Sequence, residues 1–446
     1  MKRLIYNKIC MAALLLVGIL SACSDSAYVD VIPRQSVALV SVDAARLTGV
    51  QSGVVLKTLL KATDLGNCGI DVAEKIYFFE TADGNLGICA SVDDASLLSS
   101  AFEKAGCEIE EKRGYRYAVA GGTWLAAFSD DALLVMGPVL LSDKAAMQNR
   151  MARYLSQDEG QGVTSSPLFA CLDSIDAPMA VVAQASALPS QLVMPLMLGA
   201  PKYAEPSQIV LKAAVTISSG VMCVDGTTFS FNKRIDTALR KSYEMLRPVN
   251  GRYLKSMPAD AASGMFLNVD GGKFIDIMRS NRMLHSMLAG INAAIDMDNI
   301  IKSIDGELAV VTPSYADGKA RMSMAAELAH SGWLADVPYW KESVPQGAQL
   351  IDWRPDAYIY TGGSTSFCFG VTADKQFYSG GSTNEAEQSI SLAANPISNK
   401  ITDRLKGKRL ALVVNVAALG SGNASAVSAA LRPVIGNVET IVITTK

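Results

Sequence analysis

Ala38-Leu39-Val40-Ser41-Val42-Asp43 follows the lead-in Val31-Ile32-Pro33, and Met265-Phe266-Leu267-Asn268-Val269-Asp270 follows Ser256-Met257-Pro258 in the same way. Each set reads as a proline-started approach, a strand alternating between two faces, an aspartate able to cap, and a helix-like continuation. Working outward, other anchors recur in order. Ile76-Tyr77-Phe78-Phe79, a turn at Asp83-Gly84 and an apolar run ending near Ser91 answer to Leu308-Ala309-Val310-Val311, a turn at Asp317-Gly318 and the run from Met322 to Ala326. Both are hairpin signals. Pro167 opens a short helical segment before Ala180-Val181-Val182-Ala183, and Pro396 opens one before Ala411-Leu412-Val413-Val414. The matched positions are offset by 225 to 234 residues, and colinear anchors at so steady an offset point to an internal duplication.

Between the anchors the hydrophobic period shifts from 2 to about 3.6. Ser142 is placed to cap a helix carrying Met147, Met151, Tyr154 and Leu155 on one stripe, and Asp94 to open another with Leu97, Leu98, Ala101 and Phe102. The run from Ile209 to Val215, a Ser219-Gly220 turn and the run from Val221 to Phe231 predict a hairpin. A helix from Lys233 to Leu246 then ends at Pro248 and Gly251, and Val438 to Thr445 predicts a last, β-branched strand. Helices scattered among hairpins favour antiparallel sheets. The expected architecture is α+β: two internally repeated units, residues 29–250 and 251–446, each a mostly antiparallel sheet with helices packed on one face.

The chain has 446 residues, half of them hydrophobic and 19% charged, enough apolar material for a packed interior. Its formal net charge is −3 and it has no long basic run, which argues against nucleic acid as a partner. Only two histidines, His285 and His330, are present, which removes most metal and general-base chemistry.

Residues 1–22 carry basic Lys2, Arg3 and Lys8, an apolar run from Ile9 to Leu20, and the small residues Ser21 and Ala22 before Cys23. This is the layout of a secretory signal, and the run is short of the roughly 20 residues a transmembrane helix needs. Leu20-Ser21-Ala22-Cys23 resembles the lipobox of bacterial lipoproteins, in which the leader is removed before a cysteine whose thiol and new amine are acylated. The resemblance implies a lipidated, palmitate-type Cys23 at the start of the mature chain, with residues 23–28 as a lipid-anchored linker. Loss of the leader removes three basic residues and leaves a net charge of −6. Each buried methylene contributes about 0.8 kcal/mol, so two or more acyl chains anchor stably. In the enterobacterial sorting rule an aspartate after the cysteine retains a lipoprotein at the inner membrane. Ser24 stands there instead and implies the outer membrane, with its periplasmic or surface face left open.

Six further cysteines follow. Cys89, Cys223 and Cys368 lie in apolar, strand-like runs and read as buried thiols, while the even number leaves pairing open. There is no phosphate-binding glycine loop, so no nucleotide or other cofactor is expected, and no metal site is written in the spacing. Ser230-Phe231-Asn232-Lys233 matches a penicillin-binding serine–lysine spacing only at two positions. Asp296-Met297-Asp298-Asn299 starts like a calcium loop, but Ile300 and Ile301 stand where an oxygen ligand and a glycine are needed. Asp93-Asp94, Glu110-Glu111 and Asp130-Asp131 fit turns and helix starts.

The unusual cluster is aromatic: Trp333, Trp340 and Trp353, with Tyr339, Tyr358 and Tyr360 nearby. Such rings either face a ligand, stacking on sugar or gripping a partner, or pin a proline-rich loop to the sheet. With the lipobox, Ile32-Pro33, Val40-Ser41-Val42-Asp43 and Asp305-Gly306-Glu307, the chain resembles uncharacterised Bacteroidota-type lipoproteins known only as a domain of unknown function. That resemblance implies an envelope lipoprotein with a repeated α+β domain and transfers no catalytic residue. The expected function is a membrane-anchored, non-catalytic binding or scaffold module whose ligand is an envelope protein or a glycan. The alternative is an envelope-tethered hydrolase of glycans or peptides, its carboxylates brought together by the fold.

Overall fold

The structure is a computed structural model. It describes residues 27–43, 45–46, 68–189, 192–193, 196–280, 285, 295–314, 322–363, 365–419 and 438–445. The leader, Cys23 and the Asp317-Gly318 turn lie outside the described residues. The described chain groups into two compact units: one up to Ala45 and from Cys68 to Ala170, the other Arg46 together with Cys171 onward. This compact division falls at 170, whereas the expected repeat boundary falls at 250. The reason is that the hairpin following residue 171 pairs with the last strand of the chain, as described below.

In the first unit, β1 (Ser36–Val42), β2 (Ile76–Thr81), β3 (Leu86–Ser91), β4 (Glu110–Lys112), β5 (Tyr115–Ala120), β6 (Trp124–Phe128) and β7 (Ala132–Gly137) form an antiparallel ladder. Its order is β1-β2-β3-β7-β6-β5-β4. Helix α1 (Ala95–Lys104) begins where the Asp94 carboxylate accepts the N–H groups of Ser96 and Leu97. Helix α2 (Lys144–Leu155) is not capped by Ser142. A 3-10 turn, Leu141–Asp143, takes that position into itself, and the Ser142 hydroxyl contacts Asp143 instead.

Helix α3 (Pro167–Asp173) leads into the second unit. There follow β8 (Met179–Gln184), β9 (Val210–Ser218), β10 (Val221–Phe229), α4 (Lys233–Glu244), β11 (Ser263–Asp270), α5 (Gly271–Ser280), α6 (Met297–Lys302), β12 (Ile304–Thr312) and β13 (Ser323–Leu328). Then come α7 (Val337–Ser343), β14 (Gln349–Arg354), β15 (Ala357–Gly362), β16 (Thr365–Val371), β17 (Gln376–Gly380), α8 (Thr383–Ser389), α9 (Asn399–Leu405), β18 (Leu410–Asn415) and β19 (Thr440–Thr445). The strands run in the order β8-β9-β10-β19-β18-β11-β12-β13-β17-β16-β15-β14. Only β10–β19 is parallel in this ladder, and that pair joins the expected hairpin to the expected last strand.

Each ladder buries side chains on both of its faces, which corrects the expectation of helices on one face only. In the first unit Phe128 stacks on Phe102 of α1 at 5.7 Å, while on the opposite face the Tyr117 hydroxyl donates to the Gln148 carbonyl of α2 at 3.4 Å. In the second, Leu267, Leu308 and Ala326 pack with α5 and α6 through Phe274, Ile275 and Ile301, whereas Phe266, Ala309 and Ala325 pack with Ile401 and Leu405 of α9. The cause lies in the strands: Ile88-Cys89-Ala90, Leu125 to Phe128 and Leu133 to Met136 are unbroken apolar runs, and every residue in them is buried.

The two ladders share a strand order. The order β11-β12-β13-β17-β16-β15-β14 matches β1-β2-β3-β7-β6-β5-β4 strand for strand, antiparallel throughout. Single backbone bonds recur as well. Val163 N–H donates to Ile32 at 3.0 Å and Ile397 N–H to Met257 at 3.1 Å; Ala185 N–H donates to Ile209 at 2.8 Å and Val416 N–H to Glu439 at 2.9 Å.

Candidate functional site

An ionic cluster built around one buried carboxylate lies in the second unit, at the start of β12. The ladder slips between Ile304 and Leu308, and Gly306 takes a φ of +150°. A β-carbon there would stand 2.4 Å from Glu327 Oε2, so the close approach needs glycine. The slip turns Glu307 inward, where it is 3% exposed. Its carboxylate accepts three consecutive backbone N–H groups, from Asn250, Gly251 (2.5 Å) and Arg252. Glu327 Oε2 accepts the Glu307 N–H at 2.8 Å, and its Oε1 pairs with Arg252 Nη1 at 2.6 Å. The other arm of Arg252 reaches Asp374 at 3.1 Å. Burial pushes the Tyr253 hydroxyl up from its ordinary pKa, against the lowering influence of Arg252.

This arrangement clamps a backbone segment. The same stretch is held at its other end by Arg409, whose guanidinium donates to the carbonyls of Tyr243 (3.3 Å) in the last turn of α4 and of Leu246 (2.5 Å) just past its end. A cation there also meets the negative end of the helix. With Glu307 buried and engaged with backbone and Glu327 paired to arginine, the cluster offers no carboxylic acid poised to protonate a leaving group.

A second cluster centres on Asp225 of β10. Lys408 Nζ lies 3.1 Å away, Arg404 3.5 Å, and the Thr444 hydroxyl donates to the same carboxylate. Partial burial by itself raises this pKa, but the Thr444 hydroxyl and Lys408 outweigh it and hold the group below the usual carboxylate range.

The expected site residues fall as follows. Trp333 and Trp340 are 3% and 6% exposed and stack at 5.9 Å, with Phe369 and Phe377 also against Trp333. They fill the core of the second unit, which overturns their reading as ligand-facing rings: two large apolar side chains at the junction of α7 with its preceding 3-10 turn are worth most when buried. Trp353 is half-buried, and the Arg354 guanidinium lies over its ring at 3.9 Å while also pairing with Glu387, so that face is covered as well. His285 is exposed on a helix, and His330 is exposed and accepts the Gly332 N–H.

Ser230 donates to the Gln208 carbonyl at 2.7 Å, and Lys233 is exposed at the start of α4. Asp296 caps α6, and Asp298 pairs with Arg279. Asp130 pairs with Arg116, and Glu110 with Lys144. Cys89, Cys223 and Cys368 are buried thiols, as expected, and Cys107 and Cys171 are thiols of intermediate exposure. No group of three metal-ligating side chains occurs among the described residues, and none of their helices is long and apolar enough to cross a membrane. The clamp around Glu307 escaped sequence reading. Its signal was a glycine between two acids, Asp305-Gly306-Glu307, at the head of a strand, which marks a bulge.

The family model for a domain of unknown function, DUF4836, matches residues 51–410. The chain belongs to the DUF4836 family. Curated proteins give no match to this DUF4836 chain. Among solved structures it is similar to crystal form IV of TP0453, at 10% identity over 43% of this chain and 75% of that one, with a TM-score of 0.27. Crystal form I of TP0453 aligns over 81% of this chain and 95% of that one, at 8% identity and a TM-score of 0.25.

Proposed function

We propose that this DUF4836 protein is a lipoprotein of the bacterial cell envelope, held by acyl chains on Cys23, that serves as a non-catalytic binding or scaffold module. The observation that carries the reading is the order of a basic start, an apolar run of twelve residues from Ile9 to Leu20, Ser21-Ala22 and Cys23. The engaged state of Glu307, Glu327 and Asp225 supports a binding role over hydrolysis, since these carboxylates are committed to backbone N–H groups and to cations. Ser24 supports the outer membrane as its address. The matching ladders and recurrent backbone bonds support descent of the two halves from one α+β unit by duplication. The test is metabolic labelling of the native host with an alkyne analogue of palmitate. The wild-type chain takes up label and sediments with membranes, while Cys23→Ser loses the label and becomes soluble. Equal labelling of both overturns the anchor. For the binding role, envelope pull-downs and glycan arrays with the mature protein return a saturable ligand; returning none contradicts it.

A further inference from the structure

Resting on the reading of Cys23 as the acylated residue, we propose that the anchor has almost no slack, so that the first compact unit stands directly on a lipid bilayer surface. The 3-10 turn Ala27–Val31 is part of the folded unit, with Tyr28, Val29, Asp30 and Val31 all buried. Asp30 is 1% exposed and works as a lock. Its Oδ1 accepts the Thr164 N–H (3.1 Å) and hydroxyl (2.5 Å), its Oδ2 accepts the Gly160 N–H (2.6 Å), and its carbonyl accepts Gln157 Nε2 (2.5 Å). Gly162 passes so close that a β-carbon would stand 1.9 Å from the Asp30 carbonyl oxygen. Tyr28 is held too: its hydroxyl donates to the Lys75 carbonyl at 2.7 Å, and its carbonyl accepts the Cys89 thiol at 3.3 Å. The linker expected over residues 23–28 therefore ends at its inner side in fixed structure.

Five residue steps separate Cys23 from Tyr28, and a fully extended chain covers at most about 17 Å in that many. The acyl chains lie in the hydrocarbon layer, and crossing the headgroup zone uses roughly 6 Å of this reach. The locked turn thus stands within about 10 Å of the headgroups. The closeness is set by chain length and does not depend on salt.

Neutron reflectometry of the natively acylated full-length protein on a supported bilayer of phosphatidylethanolamine and phosphatidylglycerol tests this. The expected result is a water gap below about 10 Å at both low and high salt. A flexible insert of about twelve Gly and Ser residues between Ser26 and Ala27 widens it by roughly 20 Å. Asp30→Ala raises hydrogen exchange at the Gly160 and Thr164 amides and widens the gap; the insert leaves the Asp30 lock in place should that variant fail to fold. A wild-type gap above about 25 Å, or one that the insert does not change, overturns the proposal. Intact mass on the same sample separates the two failures: a bare Cys23 defeats the anchor itself, whereas acylated protein standing off the bilayer defeats only the short tether.

Discussion

At the scale of single residues, the buried Glu307 carboxylate satisfies three consecutive backbone donors at once. Glu307→Ala leaves those donors without a partner and is expected to lower stability by about 3 kcal/mol in urea unfolding, with faster hydrogen exchange at residues 250–252. Glu307→Gln keeps one acceptor oxygen and loses less. The thiols sort by the same logic of burial. Cys89, Cys223 and Cys368 are buried, and burial raises the pKa of each. In native protein a thiol reagent is therefore expected to label Cys107 and Cys171 first, and these three only on unfolding, as peptide mapping would read. Neither role is written in residue type alone. Glu307 resembles any acid near a turn until the slip at Gly306 carries it inward.

At the scale of elements, Asp94→Ala removes the cap of α1 and is expected to cost about 1 kcal/mol in the unfolding midpoint. Trp333→Ala opens the aromatic core between α7 and β16–β17 and costs about 3–5 kcal/mol. A Trp333 variant that kept full stability would contradict its place in the interior. The elements most legible beforehand were those with strong local signals: the Asp94 cap, the Asp83-Gly84 and Ser219-Gly220 turns, and the amphipathic helix from Lys233. Ser142 misled because a 3-10 turn and a cap site share the same residue preferences. The aromatic run left two readings open because a buried pair of tryptophans and a ligand platform have the same composition, and packing against Phe369 and Phe377 decides for the interior. Burial of both sheet faces was hidden for a related reason. Apolar strand runs of this length do not report how many layers cover them.

At the scale of the whole molecule, acid sensitivity follows from Asp225, whose folded pKa is held below its ordinary value near 4. Its contribution is fully present above that ordinary value and is lost as pH falls through the lowered folded one. Unfolding curves of Asp225→Asn are accordingly expected to be flatter than wild type on the acid limb and to converge with it at the lowest pH. The mostly antiparallel layout was largely legible, since the expected strand runs fall on antiparallel pairs. The parallel β10–β19 pair was not, because a pairing between residues this far apart in sequence leaves no local mark. The proposed function depends on the proposed acylation of Cys23. Intact-mass spectrometry of protein purified from its native membrane measures this most directly: the leader should be absent, and the mature chain should begin at Cys23 with the added mass of its acyl chains. A retained leader, or an unmodified thiol at Cys23, would contradict a lipid-anchored envelope module.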